Sequence, residues 1–282
     1  MTQCSGWQSP GWSNTNLLVN WDFRNPVNQR GQKSYGSGYG IDMWPTSFNA
    51  NTTVTLTDEG ITIANEGQST SYLRQYLEVP LEENSYICST KVKSISGAVY
   101  VTYHYTDNTS SLTKKLIEGM NTYPIIADKK IDRVQYQVVA GASIGIEAVK
   151  LEVGSISTLA LDLMQPSDYA AELRKCQRYF YNIGDGSAWS VLARGFMQNT
   201  NDAYVSVLTS EPMRVAPSIQ WGGELNISTG VKGNKVNDIR LNQFTDEYVG
   251  LIATTGGLTS EQYVELTKNN DGNAFLWLSA EL

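Results

Sequence analysis

Apolar and polar residues alternate along most of this chain, in runs too short for helices. In Thr53-Val54-Thr55-Leu56-Thr57 the apolar positions fall at every second residue, and Ile61-Thr62-Ile63 repeats the pattern after Asp58-Glu59-Gly60. Alternation of period two on both sides of a glycine-bearing turn predicts a β-hairpin. The same texture returns over 72–79, 99–105, 133–138 and 144–153, with Thr106-Asp107-Asn108-Thr109 as an intervening turn. Strands at this spacing predict an antiparallel sandwich over 16–155.

The pattern then changes. Ser155 to Gln165 has apolar residues without a clean period and leads into Pro166-Ser167-Asp168. Tyr169, Leu173, Cys176 and Phe180 recur at helical spacing and predict one amphipathic helix, stopping near Asn182-Ile183-Gly184. Ser167 reads as its N-cap, with Asp168 and Glu172 near the positive end of the helix dipole. Residues 156–184 are therefore linker and helix. Over 185–282 the β texture resumes, with candidate strands at 189–197, 203–208, 218–221, 238–241, 248–253 and 275–278, punctuated by glycine pairs and Asn269-Asn270-Asp271-Gly272. The last of these should close a sheet at the C-terminal end. The expected fold is all-β: an N-terminal lectin-like, jelly-roll antiparallel β-sandwich, a short connecting α-helix and a C-terminal second β-sandwich domain. The absence of an internal repeat argues against a β-helix.

Residues 1–15, rich in Gly, Ser, Pro and Trp without periodicity, read as an arm. Two readings stay open for Trp7 and Trp12: packing onto the protein or a neighbouring subunit, or docking as an attachment peptide.

Composition narrows the function classes. The formal net charge is -7, and no basic run of five occurs, which speaks against a nucleic-acid partner. The N-terminus lacks the charged start and apolar stretch of a signal peptide, and no run of about 18 apolar residues predicts membrane insertion. Synthesis in a cytoplasm without secretion is the expectation. Cys4, Cys88 and Cys176 are spaced for neither a disulfide framework nor a metal, and Cys176 reads as a small buried residue of the helix. No cofactor and no metal site are expected.

Candidate chemistry is sparse. A Ser-His-Asp or Cys-His catalyst would have to use His104, the one histidine among 282 residues. It sits in Tyr100-Val101-Thr102-Tyr103-His104-Tyr105, where Val99, Val101 and Tyr103 share the core face and Tyr100, Thr102 and His104 the other. No phosphate loop, nucleophile elbow or marked carboxylate pair is present, so a non-enzyme is expected. Glycan binding is better motivated, because sugar C–H faces stack on aromatic rings while amides and charged groups bond hydroxyls. If alternation marks the core, Tyr72, Arg74 and Tyr76, Tyr100 and His104, and Arg133, Gln135 and Gln137 all project from the opposite face. Trp44 in Asp42-Met43-Trp44-Pro45 could flank them. Polar residues on an open sheet face also serve solubility, and Trp44 also reads as core, so both readings stand for this set.

Two cassettes carry a family resemblance. Asn16-Leu17-Leu18-Val19-Asn20-Trp21-Asp22-Phe23-Arg24-Asn25-Pro26-Val27-Asn28-Gln29-Arg30-Gly31, with Tyr39-Gly40-Ile41-Asp42-Met43-Trp44 after it, is the first. Lys150-Leu151-Glu152-Val153-Gly154-Ser155, followed by Arg174-Lys175-Cys176-Gln177-Arg178-Tyr179-Phe180, is the second. Together they resemble an adhesion module of bacteriophage and prophage tail fibres, in which a carbohydrate-binding-module-like β-sandwich precedes a short helix and a distal β domain. Pro212-Met213-Arg214-Val215-Ala216-Pro217 and the ending Ala280-Glu281-Leu282 resemble that distal domain. Met43 stands where the family commonly has a basic residue. The resemblance implies a virion structural protein, a homotrimer, attachment to other virion proteins through the arm, and recognition of a host cell-surface glycan. A capsid or tail decoration protein binding only virion proteins, and a polysaccharide depolymerase, are the alternatives. Sandwich lectins of this kind often hold calcium near the first and last strands. Here Arg24 takes the place of an acid, leaving Glu147 as the acidic partner, and no structural calcium is expected.

Overall fold

The computed structural model describes residues 13–282 except 112, 166, 185, 231 and 232. The first twelve residues of the arm, with Cys4, Trp7 and Trp12, lie outside the described residues, as does Pro166. The chain divides into two compact units, Met1–Glu172 and Leu173–Leu282.

The first unit contains β1 (Ser34–Tyr35), β2 (Gly38–Ile41), β3 (Trp44–Ser47), β4 (Thr52–Thr57), β5 (Gly60–Asn65), β6 (Ser71–Leu81), β7 (Ser85–Ser96), β8 (Val99–Tyr105), β9 (Lys114–Lys115), β10 (Gly119–Ile126), β11 (Ile131–Val138) and β12 (Ser143–Val153). They form two six-stranded sheets ordered β1-β4-β5-β12-β7-β10 and β2-β3-β6-β11-β8-β9. The alternation works as expected: Val99, Val101 and Tyr103 of β8 and Val134, Tyr136 and Val138 of β11 are buried, as are Ile61, Ile63, Ile144 and Ile146 of the other sheet. The hairpin at 58–60 joins β4 to β5 in register, Val54 opposite Ile63 and Leu56 opposite Ile61.

The two cassettes are structural partners. Leu17 N donates to Leu151 O (2.8 Å), Val149 N to Trp21 O (3.0 Å) and Phe23 N to Glu147 O (2.9 Å), so the first cassette lies along the second half of β12. Asn16 Oδ1 accepts from Leu18 N and Leu151 N. Asn20, at φ +54°, ties three segments by bonding Val27 through both amide atoms and Asp42 O through Nδ2. Its short polar side chain makes the left-handed conformation tolerable. Met43 adopts φ +69° in the β2–β3 turn and is buried, a backbone role with no bearing on charge.

One short helix was not legible: α1 (Leu159–Asp162) follows β12 and covers Lys150. The Nζ of that fully buried lysine donates to Ser13 Oγ (2.6 Å), Thr158 Oγ1 (2.7 Å) and Asp162 Oδ2 (2.6 Å), with buried Glu152 at 3.6 Å. Glu152 in turn accepts from Thr158 N and Oγ1.

The expected helix is α2 (Tyr169–Gln177), and its bounds differ from expectation. Asp168, not Ser167, caps it, because its Oδ1 accepts from Ala171 N at 3.1 Å while Ser167 N turns towards Asp22. The helix ends at Gln177, and Phe180 opens a strand paired with Ser279. Cys176 is buried.

The second unit contains β13 (Phe180–Ile183), β14 (Val191–Met197), β15 (Asp202–Leu208), β16 (Ser218–Gly222), β17 (Leu225–Ser228), β18 (Gly233–Lys235), β19 (Asp238–Phe244), β20 (Tyr248–Thr254), β21 (Tyr263–Lys268) and β22 (Phe275–Ser279). A three-stranded sheet β13-β22-β16 and a seven-stranded sheet β18-β17-β21-β14-β15-β20-β19 enclose its core. The C-terminal strand β22 lies in the middle of the smaller sheet, where alternate residues Leu276 and Leu278 are buried. The whole is an all-β fold of antiparallel sheets.

Candidate functional site

The face of the β2-β3-β6-β11-β8-β9 sheet that points away from the core collects nearly all the candidate residues. β11 is flanked by β6 and β8, and the register aligns their outward side chains into three rows. Tyr72, Gln137 and Tyr100 form the first, extended by Ser47 at one end and Lys115 at the other. Arg74, Gln135 and Thr102 form the second, and Tyr76, Arg133 and His104 the third. Strands about 4.8 Å apart and a rise of about 3.3 Å per residue make this a field of about 10 by 13 Å between Cα positions.

The side chains hold one another in place. The Arg74 guanidinium stacks 4.9 Å from the Tyr72 ring centre and donates from Nε to Gln135 Oε1 at 2.6 Å. Arg133 lies 5.6 Å from the Tyr76 ring and bonds the Asp132 carboxylate at 3.0 Å. Gln137 Nε2 donates to Thr102 Oγ1 at 2.8 Å, and Thr102 Oγ1 is 3.2 Å from Thr113 Oγ1. Arginine over an aromatic face gains from the ring quadrupole, and the bonded amides lose their rotamer freedom before any ligand arrives. Gln135 is only 5% exposed, so its part is to fix Arg74.

His104 is the most perturbed group of the face. Burial foremost, then the Arg133 and Arg74 guanidiniums, push its pKa down to about 4. The imidazole is thus neutral at pH 7. Arg133 Nη2 lies 3.1 Å from Nδ1, and since arginine only donates, Nδ1 accepts and the proton sits on Nε2. That Nε2–H is buried and has no hydrogen-bond partner.

Trp44 is a correction. It is fully buried, donates from Nε1 to Asn20 O at 2.9 Å, and packs edge-on against Phe23 with ring centres 5.2 Å apart. Its position next to the β2–β3 turn suggested a loop aromatic, but Met43 takes the turn and Trp44 opens β3 pointing inward. Tyr72 and Thr102 complete the rows, while Lys115 and Ser47 were not anticipated. Cross-strand register, rather than any motif, brings them in.

Arg24 makes a bidentate pair with Asp22, Nε to Oδ1 at 2.7 Å and Nη2 to Oδ2 at 2.8 Å, and donates to Leu163 O. That hydrogen bond, with the nearby charges of Asp22 and Glu147, outweighs partial burial and holds the guanidinium pKa up. Among the described residues no group of three or more His, Cys, Asp and Glu side chains is placed to hold a metal ion. No helix among them is long and apolar enough to cross a membrane.

In the second unit, the seven-stranded sheet carries an aromatic row. Tyr263, Phe196 and Tyr204 lie side by side in register, Phe196 meeting Tyr204 edge-on at 6.0 Å. Tyr263 and Phe196 are 59% and 53% exposed. Arg194 pairs with Glu265 beside them at 3.1 Å.

The chain matches no protein-family model and no curated protein. Among solved structures it is similar to a family 29 carbohydrate-binding module variant complexed with cellulohexaose, at 12% identity over 48% of this chain and 88% of that one, TM-score 0.32. Another variant of that module, complexed with mannohexaose, aligns at 16% identity over 54% of this chain and 100% of that one, TM-score 0.33. The ligand-free module BiXyn10A CBM1 aligns at 14% identity over 48% and 99%, TM-score 0.33. At scores and identities this low, the ligands of those modules remain facts about those modules.

Proposed function

We propose that this chain is a non-enzymatic glycan-binding protein whose ligand lies across the open face of the β2-β3-β6-β11-β8-β9 sheet. The observation that carries this reading is the three-row array, in which tyrosines flank arginines and glutamines already fixed by stacking and hydrogen bonds. Solubility alone asks for polar groups on an open face; it does not ask for arginines stacked on tyrosines. The rows contain no carboxylate, whereas glycoside hydrolysis needs two about 5 to 9 Å apart, so binding is favoured over cleavage. Replacing Tyr72 or Tyr100 by alanine should each weaken glycan binding about three- to tenfold, the worth of one stacked ring, without lowering the melting temperature. Equal affinity in both variants would reject the face.

The resemblance of the Asn16–Gly31 and Lys150–Ser155 cassettes supports a place in a phage virion as a tail-fibre or receptor-binding component directed at a host surface glycan. In that role the chain is a homotrimer. The exposed aromatic row of the second unit supports assembly through that unit, since contiguous exposed apolar side chains mark interaction surfaces. Light scattering should then give three times 31.2 kDa; a monomer would reject the trimer and leave the glycan face untouched.

A further inference from the structure

The chain as a whole is acidic, with a net charge of -7, yet the candidate face is cationic. Its rows hold Arg74, Arg133 and Lys115, and no aspartate or glutamate. Arg133 is balanced by Asp132 next to it. Arg74 is not balanced. It is half-buried, its Nε is spent on Gln135, its plane is fixed over Tyr72, and no carboxylate of the described residues pairs with it. Both terminal nitrogens are left as donors at the middle of the array. A partly desolvated guanidinium without a counter-charge is unfavourable unless something else supplies one. Its planar fork fits a carboxylate through two parallel bonds, and the tyrosine and glutamine already hold it in one orientation.

The other unsatisfied group is the His104 Nε2–H, two strands away in the next row. With Arg133 bonded to Nδ1 it is a neutral donor, but it is enclosed and offers no surface to a ligand, so the ligand contact falls to Arg74.

We propose that the ligand is an acidic glycan, with Arg74 taking the carboxylate of one of its sugar units. This rests on the glycan-binding reading above. A sugar carboxylate comes from uronic or from sialic acids, and the face recognises what the two share.

The test uses the full chain and matched ligand pairs, measured by isothermal titration calorimetry. Oligogalacturonate is paired with its carboxyl-reduced form, and sialyllactose with lactose. The expected result is at least tenfold tighter binding of the acidic member of one pair, an advantage that shrinks as salt is raised and disappears in Arg74→Gln. The pair that responds names the source of the acid. If wild type binds both members of a pair equally, the carboxylate assignment is overturned and the glycan-binding reading stands. If no member of either pair is bound, the acidic-glycan assignment is overturned, and a glycan array, which also presents neutral glycans, decides the glycan-binding reading by itself. If Arg74→Gln keeps the discrimination, Arg74 is not the receptor. Should that variant misfold, the salt series on wild type decides: an acidic preference independent of salt contradicts the charge pairing.

Discussion

Lys150→Met tests the clasp that ties Ser13, β12 and α1 together. The lysine side chain is fully buried, as is that of Glu152, and Asp162 is 16% exposed. The ammonium spends its donors on Ser13, Thr158 and Asp162. Methionine fills the same volume and leaves two carboxylates facing an apolar group. Breaking a buried pair by removing one partner costs about 3 to 5 kcal/mol, mostly the penalty for the uncompensated charge. For a unit of this size each kcal/mol is worth about 2 to 4 °C, so the first unit should melt about 6 to 20 °C lower. Adding Asp162→Asn removes one stranded charge and should restore at least about 1 kcal/mol, a non-additivity expected of groups in one network. Calorimetry gives the melting shift and urea titration the free energies of the single and double variants. A loss below about 1 kcal/mol for Lys150→Met, the worth of an exposed pair, would refute the argument that this lysine is the clasp.

Two further outcomes follow from single residues. His104, as the one histidine, gives an isolated imidazole signal by NMR; it should titrate near 4, and Arg133→Gln should raise that midpoint. Because the folded value lies below the ordinary 6.5, the unfolded chain binds the proton first. Stability is therefore lost as pH falls from 6.5 to 4, by about 1 kcal/mol or less once solvent screening is counted. A wild-type midpoint near 6.5 would contradict the geometry around Arg133. Trp44→Phe removes the bond to Asn20 O and leaves that carbonyl unpaired, costing about 1 to 3 kcal/mol with glycan affinity unchanged. Lost affinity at full stability would return Trp44 to the ligand.

Legibility followed the physics of burial. Where one sheet face meets the core and the other meets solvent, as in Tyr72–Tyr76, Val99–Tyr105 and Arg133–Val138, alternation gave the strand and the orientation of each side chain. β7 was missed because it is covered on both faces: Tyr86 to Thr90 are all buried and their hydropathy does not alternate. β10 was hidden by Pro124 in an edge strand, where a missing N–H is tolerated. β21 alternates clearly over Tyr263–Lys268, a legible pattern although this segment is not among the expected strands. Phe180 kept the helical spacing only by coincidence of one more turn. Within the site, the outward parity of each strand was legible. The pairing of Arg74 with Gln135 and of Arg133 with His104 was not, since register between distant strands leaves no local trace. Trp44 failed for a related reason: a left-handed Met43 decides which side of the hairpin the indole takes, and methionine gives no warning of that conformation.

The most direct measurement is glycan-array binding of the wild-type chain beside the variant carrying both Tyr100→Ala and His104→Ala. Binding of at least one glycan by wild type, lost in the double variant at an unchanged melting temperature, is the expected result. Equal binding by both proteins, or no glycan bound by wild type, would show that the open sheet face is a solvated surface and not a binding site.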